Sequence, residues 1–326
     1  MIEEKKLILA TKSFASEFRE KSWGYLFSTI FILLFGYTAI FLFPIIAIKF
    51  FFSFFTGLVL VRLFVIYHDY LHKAILQNSL LAEIIFTVFG LFILAPKGIW
   101  KRSHDYHHQQ NSKLFTSSIG SFPIVSKDKF YELTKAERFI YLFVRHPLTI
   151  LFGYIFAFIY GMCLQSIISS TKKHIDSIFS LIIHFGLGTL IYFNFSFENF
   201  LLGFLMPSFI ASALGAYLFY AQHNFPDAQF EEKNGWTYVK AALNSSSYMK
   251  MSPLMNWFTA NIGYHHIHHA NHRIPFYRLP EVFKKMPEFQ NPGITSLQPT
   301  DIINCLKLKV WNSNSRRMEG LGDLKP

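Results

Sequence analysis

Charge is scarce in this sequence. Asp, Glu, Lys and Arg make up 16% of its 326 residues, where a soluble chain carries about a quarter. That deficit argues against an ordinary water-soluble domain. A 52% hydrophobic composition with 39 phenylalanines suits a surface that faces lipid. Cysteine is scarcer still. Cys163 and Cys305 give neither a disulfide framework nor a cysteine metal site, and both read as inert. Acidic residues are outnumbered 20 to 31 by Lys and Arg, for a net charge of +11. No nucleic-acid recognition fold is visible, so no nucleic-acid partner is expected. Internal repeats and low-complexity segments are absent. The first apolar run is too long for a cleavable signal, and the segment before it carries both signs of charge.

What is present is a series of apolar runs. Ser22 to Ile48 holds no charge, and the run after Lys49 holds one, Arg62. A span needs about 20 apolar residues, so two spans are expected near 22–43 and 50–67, joined near Pro44–Lys49. Residues 84–96 are too few to cross and read as a re-entrant or interfacial helix. A polar, basic segment follows to about His146. Three further runs, 147–170, 177–195 and 200–221, complete the apolar part. Lys and Arg cluster in residues 97–145 and 273–309, which places both segments on the cytoplasmic side, where anionic headgroups attract them. One domain is expected over 1–326, with 312–326 as a loose tail.

Histidine is not scattered. "H68-D-Y-L-H72" spaces two at i and i+4. "H104-D-Y-H107-H108" spaces three at i, i+3 and i+4, and "H265-H-I-H268-H269" repeats that spacing. On a helix these positions share one face, about 5–6 Å apart, so the imidazoles can converge on metal. At this histidine content H-x-x-H-H arises by chance about 0.03 times per chain, yet it occurs twice. If the boxes form one site, they lie on one membrane face. An even number of spans then separates them, so one of the three later runs is half-depth or interfacial and four full spans remain. Eight imidazoles exceed one zinc, which takes about four ligands, but fit two metals with open positions. No box contains H-E-x-x-H, the zinc-protease pattern, so hydrolysis is disfavoured. An all-histidine pair of metals suits O2 activation at non-haem iron. Asp69 and Asp105 read equally as partners of a ring in a neighbouring box or as solvated carboxylates. His146, His174 and His184 read as ordinary polar residues, with His184 making a helix-to-helix hydrogen bond.

Three stretches resemble the membrane fatty acid desaturase family, most closely its acyl-lipid, omega-6-like branch. They are "W100-K-R-S-H-D-Y-H-H108", "N261-I-G-Y-H-H-I-H-H269" with "R273-I-P-F-Y-R-L279" after it, and "Q222-H223" at the end of the last apolar run. The resemblance covers about residues 22–290. It implies an all-α integral membrane protein with about four transmembrane helices, interfacial helices and a cytoplasmic helical cap. It implies two Fe ions, O2 as co-substrate and a fatty acyl lipid as substrate. Electrons are expected from an external ferredoxin or cytochrome b5-type donor docked on the basic face. The ligands it implies are His68, His72, His104, His107, His108, His223, His265, His268 and His269, with His266 and His272 outside the set. The first box is short and lacks the paired terminal histidines often seen in this branch, which leaves the double-bond position open. Tyr67, Tyr70, Phe115 and Trp257 are candidates to line the acyl slot, with ordinary packing or interface anchoring as the leading reading for any single one. A bacterial inner membrane is the expected location, among membrane lipids. Two rival readings stand beside this one. A histidine-box hydroxylase or ketolase would act on carotenoids, sterols, sphingolipids or alkanes. A His-rich metal transporter would carry its ligands near mid-membrane, whereas these boxes lie in polar segments.

Overall fold

The computed structural model describes residues 2–114, 122–231 and 235–324. It is mostly helical, and five helices are long and apolar enough to cross a membrane. α1 (Arg19–Leu42) and α2 (Ile46–Leu71) form the expected hairpin. α3 (Leu80–Phe92) and α4 (Lys97–Gln110) meet at a bend of 88°. After α5 (Lys135–Val144) come the apolar helices α6 (Tyr154–Lys173), α7 (Ile175–Asn194) and α8 (Phe197–Ala221). α9 (His265–Ala270) carries the last histidine box.

Contacts at the helix ends settle which runs are full length. At one end of the molecule the start of α2 meets the start of α8, where Lys49 Nζ donates to Glu198 (2.7 Å). At the other end lie the boxes. Run 147–173 begins and ends on that histidine side. Arg145, just before it, donates to Asn224 beyond the end of α8. At its other end the Lys173 carbonyl accepts from Arg102 of α4 (3.3 Å). The run dips as far as Phe152 against Phe209 and returns. Both its ends therefore lie on the histidine side, whereas α1, α2, α7 and α8 run from one end of the molecule to the other. Two such end-to-end helices, α7 and α8, lie between α4 and α9, consistent with the even number that one shared site requires.

The α3–α4 bend is the re-entrant feature expected over 84–96. It is wedged against the middle of α7. Ser180 Oγ donates to the Leu91 carbonyl (2.7 Å), and His184 Nδ1 donates to the Phe92 carbonyl (2.6 Å). These bonds serve the orphan carbonyls of a helix end, which lipid cannot satisfy. α2 is the buried axis of the bundle, whereas α1 and α7 turn large apolar side chains such as Phe31 and Phe193 outward. α2 and α8 cross where Gly57 meets Ile210 and the Pro207 carbonyl; a Cβ at Gly57 would lie 2.8 Å from Ile210 Cβ. Small residues at such crossings let helices pack without a hydrophobic drive.

The C-terminus differs from the loose tail expected. β1 (Tyr248–Lys250) pairs in parallel with β2 (Ile294–Ser296), and β3 (Leu308–Asn312) pairs antiparallel with β4 (Arg317–Gly320). Trp311 and Met318 are buried, and Trp311 packs on Phe230. Buried Glu319 takes Lys127 Nζ (2.8 Å) and Asn312 Nδ2 (2.6 Å). Turn-rich composition suggested a free end, but one tryptophan and one paired carboxylate anchor it.

Candidate metal centre

Each histidine box sits at a helix end on one side of the molecule. The last turn of α2 supplies His68, and His72 caps it. α4 supplies His104, His107 and His108. His223 follows α8, and α9 supplies His265, His268 and His269. Trp100, one helical turn before His104, stacks on its ring at 4.3 Å and restricts its rotation.

The nine nitrogens fall into two groups, each with its atoms within 4.8 Å of one another. His68, His72, His104, His108 and His268 form the first; His107, His223, His265 and His269 form the second. The repeated spacing explains the division. In α4 the i, i+4 pair His104 and His108 joins the first group and the intervening His107 the second. In α9 the pair His265 and His269 joins the second and His268 the first. Each three-histidine box therefore serves both groups. Sequence spacing put all three on one face and did not reveal this split.

Hydrogen bonding alone cannot satisfy the arrangement. An imidazole nitrogen carries either one proton or one lone pair. His104 Nε2 lies 3.0 Å from both His68 Nε2 and His108 Nε2. His223 Nδ1 already donates to the Ser245 carbonyl (2.9 Å), so its Nε2 lone pair faces His107 Nε2 (3.0 Å) and His265 Nε2 (2.9 Å). His72 Nε2 is buried with no partner, a costly state unless a cation serves it. Burial holds His223 down to about 4. Burial and neighbouring histidines keep His265, His268 and His269 well below the ordinary histidine value. These rings are neutral at pH 7, the form that binds metal. Two nitrogens about 2.1 Å from one ion lie about 3.0 Å apart at right angles and about 3.4 Å apart at the tetrahedral angle. The contacts of 2.9–3.2 Å fit right angles, so the donors suit ions of higher coordination than tetrahedral zinc.

The remaining candidates separate clearly. His266 faces away and its Nε2 donates to the Phe289 carbonyl (3.0 Å). His272 rests with its ring 4.7 Å from that of His72 and belongs to neither group. His184 bonds Tyr154 and Phe92, His174 bonds Arg102, and His146 caps a helix. Asp69 corrects the expectation that it would orient another box. Its Oδ1 lies 3.1 Å from Nδ1 of its own neighbour His68, and its Oδ2 accepts from Phe276 N (2.6 Å). It thereby ties the "I-P-F-Y" segment to the first box. Asp105 pairs with Lys101 at 2.5 Å on the half-exposed face of α4, the solvated alternative.

A narrow apolar cavity of about 100 Å³, partly open, meets both groups. It lies above the Gly57 crossing, between α2, α4, α6 and α8. Val61, Phe64, Phe158, Met162, Gly215 and Phe219 line its walls, and His68, His104 and His265 line its histidine end. The expected aromatics are not there. Tyr67 packs on Phe86 with its hydroxyl on the Ala95 carbonyl, Tyr70 stacks on Phe86, and Trp257 lies against Arg62. Phe115 falls outside the described residues. Sequence proximity to the boxes suggested the wrong aromatics. The lining side chains Phe64 and Phe219 sit one helical turn from His68 and His223, on the faces where α2 and α8 flank the cavity.

Comparison with known proteins finds a family match. The family profile described as "Fatty acid desaturase" matches residues 45–298. A "Fatty acid desaturase" of Bacillus subtilis (strain 168) is 26% identical over 267 residues, covering 82% of this chain and 75% of that protein. An "Omega-6 fatty acid desaturase, chloroplastic" of Brassica napus is 25% identical over 240 residues, 72% of this chain and 52% of its own length. Its Arabidopsis thaliana counterpart is 24% identical over 237 residues, with the same coverages. The chain thus spans about half the length of these two plant proteins.

Proposed function

This chain belongs to the fatty acid desaturase family, and from that premise we propose that it introduces a cis double bond into the acyl chain of a membrane lipid. The observation that carries the proposal is the apolar cavity ending on both histidine groups. His68, His72, His104, His108 and His268 hold one iron, and His107, His223, His265 and His269 hold the other. Bound there, the two irons supply the O2 chemistry that breaks unactivated C–H bonds. Asp69 and the Ser245 carbonyl hold Nδ1 of His68 and His223, which aims each Nε2 inward. Phe64, Phe158 and Phe219 exclude water and hold the chain so that one C–C bond meets the site, a positioning task.

The balance requires a donor. Two hydrogens leave adjacent methylenes, and O2 with two electrons and two further protons becomes two waters. A ferredoxin or cytochrome b5-type protein supplies those electrons. Exposed Arg102, Arg273, Lys284 and Lys285 on the histidine side suit an acidic partner. The same charges support a cytoplasmic orientation for that side, with a bacterial inner membrane as the proposed setting. A transporter is disfavoured, because the histidines sit at helix ends and not near mid-membrane.

Expression in a bacterium, followed by gas chromatography and mass spectrometry of its fatty acids, tests the reaction. The expected result is an unsaturated acid absent from the host, with the double bond at one position. A hydroxylated lipid without new unsaturation would contradict it and favour oxygen insertion.

A further inference from the structure

Two buried cations lie outside the histidine site with no acid to neutralise them. Arg145 is fully buried, and Lys309 is 7% exposed. Arg145 donates to the Phe122 and Pro123 carbonyls and to Asn224 Oδ1. Lys309 Nζ donates to the Arg145 and Leu306 carbonyls, at 2.7 Å each. Among the described residues neither makes an ion pair with a carboxylate. Carbonyl dipoles solvate a cation but leave its charge in place, and two such charges side by side are costly. Burial and the charge of Arg145 press Lys309 down to about 8.

Beside them is a cavity of about 730 Å³, partly open to solvent. Lys309, Lys307 and His146 line it, with Leu142, Pro147 and Leu306 as its apolar side. Asp323 is also on its rim, and its Oδ2 is taken by Gly320 N (2.9 Å). The surroundings suit an opening at a membrane surface. Phe139, Ile140 and Phe143 of α5 and Leu148 and Leu151 after it are exposed, an apolar face that lies against lipid. The cavity therefore combines an excess of positive charge, Lys307 and Lys309 against Asp323, with an apolar flank.

We propose that this cavity binds the phosphate of a membrane phospholipid, with Lys309 and Lys307 facing the phosphate and the apolar flank holding the glycerol end of the acyl chains. Basic pockets beside membrane helices take anionic headgroups in this way. Inorganic phosphate offers the charge without the apolar contact and is the weaker ligand.

The test uses the purified full chain in detergent with equal amounts of dioleoyl phosphatidylglycerol and dioleoyl galactosyldiacylglycerol. Native mass spectrometry reads the lipid retained. The readout is binding, so its failure is separate from a failure to desaturate. The expected result is retention of phosphatidylglycerol about tenfold over the phosphate-free lipid, the scale of one charge-assisted bond. Lys309→Met should bring the two lipids near parity. Lys307→Met, at an exposed position that does not endanger folding, should lower the preference several-fold, and excess inorganic phosphate should not displace the lipid. Equal retention by the unsubstituted chain would overturn the proposal. So would an undiminished preference in Lys307→Met, or displacement by inorganic phosphate.

Discussion

His268→Ala abolishes the new double bond while the protein stays in the membrane, and His266→Gln retains it. These residues are two apart and both are buried, so burial and sequence position do not separate them. Their contacts do. His268 Nε2 lies 3.2 Å from His108 Nε2, and its ring is 4.5 Å from that of His68. In the proposed site its loss removes one of five donors from the first iron and opens a gap between α2 and α4. His266 instead donates to the Phe289 carbonyl and packs on Phe283. Glutamine keeps a donor for that carbonyl, which limits the cost to a fraction of the 1–3 kcal/mol that an orphaned buried acceptor carries. Fatty acid analysis, normalised to chain present in the membrane fraction, checks both. Unchanged product in His268→Ala would remove that residue from the ligand set.

Asp69→Asn lowers metal retention about 10- to 100-fold, the usual effect of losing a partner that orients a ligand. The carboxylate accepts two bonds, from His68 Nδ1 and from Phe276 N, and it is almost wholly buried. Asparagine has one acceptor oxygen, so one of the two donors is left facing an N–H. If His68 loses its partner, its ring is free to turn and its Nε2 no longer points at the first group. If Phe276 loses it, the "I-P-F-Y" segment shifts and releases the ring indirectly. Asp105→Asn is the control, since that carboxylate pairs only with Lys101 on the surface of α4. Iron remaining after titration with a chelator measures both, with retention of Asp105→Asn unchanged. Equal retention in Asp69→Asn would show that the carboxylate does not orient the ligand.

Much of this site is legible in the sequence because helical geometry is local. Spacings of i, i+3 and i+4 put His104, His107 and His108 on one face wherever the helix lies. The resemblance added His223, which has no box around it. The division of the nine histidines is not local. It depends on how α4 and α9 face each other, and no spacing within either helix encodes that. The cavity lining was misread for the same reason. Phe158 enters it from a run that begins and ends on the histidine side, and that run looks in composition like any other span. Asp69 was misdirected by helical arithmetic. A side chain at i+1 points about 100° away from its neighbour's face, but a short carboxylate at a helix end can fold back to the adjacent ring. The C-terminal hairpin was missed because its core is a few residues, Trp311 and Met318 among them, set in polar sequence.

In the proposed site nine histidines hold two irons at the end of an acyl cavity. Elemental analysis of the purified chain tests it most directly. About two irons for each polypeptide and little zinc are expected, one ion for each of the two histidine groups. A single iron per chain, or zinc filling the site while desaturation continues without iron, would contradict it.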